Sequence, residues 1–174
     1  MQTVIDCRGG TLADALRHGP LPLALALACA RDIASAISQL HRQQLVLGQL
    51  DAAAIEFGPA GASLPIPKAI YRRATPAGDV HDFGSLLHRM ITGVKPDGAP
   101  PPEAPALTEE TTPETIRAAA LRLAVRCHDR STGGEAPSMR QVATELRLLN
   151  LMVLRFPAAA DPAVNSPGQT ATAA

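Results

Sequence analysis

Five histidines, three cysteines and two lysines are the side chains of this sequence best suited to chemistry near neutral pH. Cys127, His128 and Asp129 stand in the order nucleophile, base, acid, the residue types an acyl-transfer site uses. Neighbours on a helix point in different directions, so the triplet reads as an accident of order. His81 and His88 stand seven apart on one helical face. A zinc site on a helix uses i,i+4 spacing or nearby cysteines and carboxylates, so both histidines read as surface or packing residues. Lys68 and Lys95 are the only lysines, against 14 arginines, which leaves amine chemistry two candidates. Arg117, Arg122, Arg126 and Arg130 give one helix a basic side. The plain reading is a solvated face, and the functional one is a site for an acidic peptide or phosphate. The stretch Gly58-Pro59-Ala60-Gly61 lacks the following Lys-Ser/Thr and helix of a phosphate loop. The expectation is no catalytic residue, no metal and no cofactor.

Composition narrows the function classes further. The 174 residues carry 16 Lys+Arg and 16 Asp+Glu, a formal charge of zero. Phosphate-backbone binding needs a basic excess or face. The only aromatic residues are Phe57, Tyr71, Phe83 and Phe156, too few for a base-stacking platform. Nucleic acid is therefore not an expected partner. Cys7, Cys29 and Cys127 are odd in number and form no CxxC pair, which fits a reducing, cytoplasmic setting and no disulfide framework. The longest apolar run, residues 21–30, meets Arg31 and Asp32 after ten residues, so no membrane span is expected. The N-terminal residues lack the apolar core of a signal peptide. Ala and Leu supply 53 residues, which favours helices.

The elements that must position these side chains follow from periodicity and breakers. Thr3-Val4-Ile5 suggests a short strand. Thr11 is a plausible N-cap for a short helix ending near Arg17. The spacing of Leu23, Leu27, Ala30, Ile33, Ala34, Ile37 and Leu40 predicts a helix over 22–43. Leu45-Val46-Leu47, Ala54-Ile55-Glu56-Phe57 and residues 63–66 read as short strands of a small hairpin patch. A second helix is predicted over 79–92, with Val80, Phe83, Leu86, Leu87, Met90 and Ile91 inward and Thr92-Gly93 at its end. Residues 94–112, with five prolines, are expected to form a Pro-rich loop. A helix over 113–128 places Ile116, Ala119, Leu123 and Cys127 inward, and a last helix runs from Pro137 or Ser138 to about Leu154 with Met139, Val142, Leu146 and Leu149 inward. One domain over 1–156 and a disordered tail over 157–174 complete the expected organisation.

The order of these pieces resembles the C-terminal lobe of a protein kinase over roughly residues 3–152. Gly10-Thr11-Leu12 with Leu16 looks like the segment after the kinase hinge. Gln39-Leu40-His41 resembles the end of the long helix before the catalytic loop. The stretch from Asp79 to Gly93 follows the pattern DVxxFGxLLxxxxTG of the central C-lobe helix, the most specific match. Residues 121–127, then Pro137-Ser138-Met139-Arg140-Gln141-Val142 with Glu145-Leu146, look like the closing helices of receptor-like and tyrosine-kinase-like kinases. The implied fold class is mainly α, a kinase C-lobe-like helical domain with a small β-hairpin patch and no N-lobe. The architecture is similar to the kinase non-catalytic C-lobe domain.

The resemblance implies a lobe without the kinase reaction. The Gly-rich loop, lysine and glutamate of an N-lobe have no counterpart. The catalytic HRD triplet aligns with Leu47-Gly48-Gln49, and a glutamine amide cannot accept a proton as a carboxylate does. The metal-binding asparagine falls at Ala54 and the DFG triplet near Pro65-Ile66-Pro67-Lys68. Seven residues separate Tyr71 from Asp79, leaving almost no activation segment. The APE glutamate and its arginine partner, near Ala136, are both missing. Asp79 is implied to accept backbone hydrogen bonds from the loop at residues 47–49, and Asp79, Phe83, Gly84 and His41 are read as structural. Residues 146–156 are apolar nearly all round, and Leu151, Met152, Leu154 and Phe156 are candidates for binding a protein partner or a second copy. The first functional reading is a protein-binding or scaffold module. The rivals are a fragment of, or a divergent, kinase with residual ATP binding or phosphoryl transfer, and an unrelated helical domain.

Overall fold

The computed structural model describes residues 10–58, 61–64, 74–96, 111–128 and 137–156. The expected strand over 3–5, most of the 94–112 loop and the expected tail over 157–174 lie outside these residues. Strand β1 (Gly10–Thr11) leads directly into helix α1 (Leu12–Leu16). Thr11 caps the helix reciprocally. Its Oγ1 accepts from the Asp14 amide at 3.2 Å, and its own amide donates to Asp14 Oδ2 at 3.1 Å. The Thr11 hydroxyl, which donates to Asp14 Oδ2 at 2.8 Å, and then the Thr11 amide hold the Asp14 carboxyl below the usual carboxylate range.

Helix α2 (Leu23–Arg42) buries Leu23, Ala26, Leu27, Cys29, Ala30, Ile33, Ala34 and Ile37. Leu40 is only partly buried. By length and composition this is the one helix among the described residues that could reach across a bilayer, and its apolar stripe is part of the common core.

Residues 45–50 run as an irregular segment, so the strand expected at 45–47 does not form. The Leu47 amide, which a ladder would need, is committed to a carboxylate of α3, and Leu45 is exposed. A 3-10 turn (Ala52–Ala54) follows, capped by Asp51 Oδ1. Strands β2 (Glu56–Gly58) and β3 (Gly61–Ser63) pair antiparallel, and β1 adds to the outer side of β2. The hairpin therefore sits with its first strand two residues later, and its second two residues earlier, than the apolar runs suggested. β1 was not anticipated because two residues carry no alternation.

Helix α3 (Pro76–Thr92) starts three residues before Asp79. Thr75 Oγ1 accepts from the Gly78 amide at 3.0 Å, and Pro76 occupies the first turn, where its missing N–H costs nothing. Gly93 ends the helix at φ 79°, a conformation that favours glycine. Helix α4 (Pro113–His128) buries Ile116, Ala120, Leu123, Ala124 and Cys127. Ala119, expected inward, lies on the flank. Helix α5 (Met139–Val153) starts with a capping box between Ser138 and Gln141.

The architecture is mainly α. α3 lies along α4, α2 lies along α5, and the three-stranded patch packs on α2 through β3. The helices share one apolar core whose largest fully buried side chains include Phe83, Leu27, Ile33, Leu87 and Ile116.

Candidate functional site

Asp79 is the anchor of the site. It stands in the first turns of α3 and is 1% exposed. Its Oδ2 accepts from the Leu47 amide at 2.9 Å and pairs with His41 Nε2 at 2.8 Å. Its Oδ1 accepts from the Gly48 amide at 2.8 Å. One carboxylate thus ties the last turn of α2, the segment after it and the start of α3. Charge-assisted bonds of this kind are the strong ones, and they satisfy donors that burial would otherwise strand. Among the described residues no buried side-chain polar atom lacks a partner. Gly48, at φ 85°, turns the chain so that the next residue, Gln49, is exposed.

Gly84 sets how closely α4 approaches. A Cβ there would lie 2.6 Å from the Ala124 carbonyl oxygen and 2.7 Å from Cys127 Cβ, closer than atoms pack. Phe83 beside it is fully buried. The outcome of that close approach is that the end of α4 reaches the flank of α3. The His81 and His128 rings stack with centroids 4.2 Å apart. Ser85 Oγ lies 2.9 Å from His128 Nδ1 and donates to the His81 carbonyl at 3.3 Å.

A cleft of about 580 Å³ opens at this corner, between the segment at 49–52, the flank of α3 and the end of α4. Gln49, Asp51, Asp82, Ser85, Arg89, Lys95 and His128 line it. Arg89 and Lys95 have no ion-pair partner among the described residues. Sequence reasoning missed Asp82, Ser85 and Arg89, and named Lys95 only as a candidate amine. The signal was present in the polar positions 82, 85 and 89, which recur at i, i+3 and i+7 beside the apolar face of α3.

Several chemistry-bearing residues are placed apart. His88 Nδ1 faces the Val94 carbonyl at 3.2 Å, while His81 stacks on α4. Cys127 is buried, and desolvation pushes its thiol up to about 12, so it is no nucleophile near neutral pH. Asp129 lies outside the described residues. The basic side of α4 is largely engaged. Arg117 donates to the Ile91 carbonyl at the end of α3, Arg126 pairs with Glu145 at 2.6 Å, and Arg122 also has a partner. On α5, Leu148, Leu151 and Leu154 are 55%, 62% and 68% exposed. Met152 and Phe156, expected on the same outward surface, are partly buried and pack on the core. The helical rotation carries Met152 toward the side of Leu149 and Val153, and the chain turns Phe156 back beyond the last turn. Leu148 takes their place in the exposed stripe.

No family model matches the chain, and no curated protein is similar to it. Among solved structures it is similar to a pseudokinase in its apo form, with a TM-score of 0.65 and 21% identity over 82% of this chain. The fold is kinase-like. The match spans 60% of the pseudokinase's own length.

Proposed function

We propose that this chain is a non-catalytic, kinase-like C-lobe that works as a protein-binding or scaffold module. The observation that carries the reading is the anchored segment beneath Asp79. The carboxylate holds Leu47 and Gly48 in place, yet the next side chain, where the resemblance puts the catalytic aspartate, is the carboxamide of Gln49. A built scaffold around a residue that cannot take a proton fits a fold kept for something other than phosphoryl transfer. Ala54, aligned with a metal-binding asparagine, offers no ligand atom. The resemblance to a longer pseudokinase is read here as one to its helical lobe.

Association is proposed to use the Leu148, Leu151 and Leu154 stripe of α5. Each leucine buried in a contact contributes on the order of 1.5–3 kcal/mol before ordering costs. The deciding experiment pairs a thermal-shift assay with light scattering. Millimolar Mg-ATP is expected to leave the unfolding midpoint unchanged. A metal-dependent rise would sink the non-catalytic reading in favour of residual nucleotide binding.

A further inference from the structure

We propose that the cleft between residues 49–52, α3 and the end of α4 binds an extended peptide that carries a basic side chain and an acidic or phosphorylated side chain three residues apart. The proposal rests on the binding-module reading and adds the chemistry of the partner.

The charges of the cleft are sorted along its length. Asp82 and Arg89 both line it from α3 and are seven residues apart. Seven residues are almost two helical turns, so both face the same way, about 10 Å apart along the axis at 1.5 Å per residue. Asp51 also lines the cleft, Asp82 lies 3.3 Å from His81 Nδ1, and Lys95 follows Arg89 just beyond the C-terminus of α3. One end is therefore acidic and the other basic.

A bound molecule must present the opposite order. In the extended polyproline II conformation three residues complete one turn and span about 9 Å at 3.1 Å each, so side chains three apart share a face at close to the separation of Asp82 and Arg89. A free amino acid carries both charges on one carbon and cannot reach both ends. The Gln49 carboxamide, which also lines the cleft, offers both a donor and an acceptor, which suits a peptide group. Leu86 and Ala52 supply apolar floor. Among the described residues the two cations have no ion-pair partner for an incoming anion to displace. Arg89 is half-buried, which strengthens a charge-assisted bond relative to one in open solvent.

Fluorescence anisotropy with labelled alanine-based peptides tests this. Each peptide carries one arginine and either one glutamate or one phosphoserine, at spacings of one to five residues. Saturable binding is expected at a spacing of three, weaker by about tenfold at a spacing of one and on removal of either charge, a loss near 1.4 kcal/mol. The double variant Arg89→Glu, Lys95→Glu is expected to reject these peptides and to accept one in which the anionic residue is a second arginine. A role of the two cations in folding alone would not transfer preference in this way. No saturation up to millimolar peptide, insensitivity to spacing, or an unchanged preference in the double variant overturns the proposal. So does inorganic phosphate competing as strongly as the phosphopeptide, which would make the site one for small anions. Light scattering and Mg-ATP thermal shift on the same sample separate the two readings. Retained α5-dependent association without peptide binding removes the cleft proposal alone. Stabilisation by Mg-ATP removes the non-catalytic reading.

Discussion

Asp79 makes three bonds that no neighbouring residue can take over, and each reaches more than thirty positions back along the chain. Asp79→Asn keeps the shape but turns one accepting oxygen into an amino group facing a donor. A loss of about 1–3 kcal/mol is expected, the cost of leaving buried donors unpaired, and a urea midpoint equal to that of the unchanged chain would contradict the anchoring role. The position of Asp79 was legible from the DVxxFGxLL pattern and its backbone donors from the resemblance at residues 47–49, but its pairing with His41 was not. The cations of the cleft were not, because a sequence does not reveal which charges lack a partner. The two described cysteines give a second test at this scale. Desolvation pushes Cys29 and Cys127 from about 9.0 up to about 12. Between those values the native chain holds two protons that the unfolded chain releases, so their contribution is complete below pH 9 and is lost as pH rises toward 12. In a Cys7→Ser background, iodoacetamide is expected to leave both thiols unmodified until denaturant unfolds the protein. Labelling of the native chain would show that the interior opens.

Among elements, the α3–α4 pair is the most sharply specified. Gly84→Ala would force a methyl carbon against the α4 backbone and is expected to cost about 1–3 kcal/mol, read as a lower unfolding temperature with helical circular dichroism kept. An unchanged temperature would mean that the helices separate freely. The α5 stripe makes the opposite prediction. Leu151→Glu with Leu154→Glu changes exposed positions, so stability is expected to shift by no more than about 0.5 kcal/mol per site, while scattering mass and partner capture fall. A double variant with unchanged mass and partners would remove α5 as the association surface. The helices were legible because apolar residues recur at helical spacing over many turns. The start of α3 was not, since Thr75 and Pro76 precede the first periodic residue. Leu45, Val46 and Leu47 misled because a short apolar run is equally a strand or a linker whose amides are spoken for elsewhere.

At the scale of the whole molecule, the kinase-like fold is held by helices, with the sheet reduced to a patch at one corner. A ligand present at 100 times its dissociation constant would stabilise the chain by about 2.7 kcal/mol, easily seen by thermal shift, so the absence of any response to Mg-ATP is an informative outcome. The pairing of α2 with α5 has a further consequence, for synthesis. Helix α2 ends at Arg42 and its cover ends at Val153, so roughly 110 residues must leave the ribosome before the long apolar face is closed. At 5–20 residues per second that is an interval of roughly 5–20 s, long compared with collapse. During it the nascent chain offers a helix apolar enough to be taken for a membrane segment by targeting factors or held by a chaperone. A ribosome-bound chain stalled before Ser138 is expected to crosslink to such factors through Leu27 or Ile33, and one stalled well beyond Phe156 to be released from them.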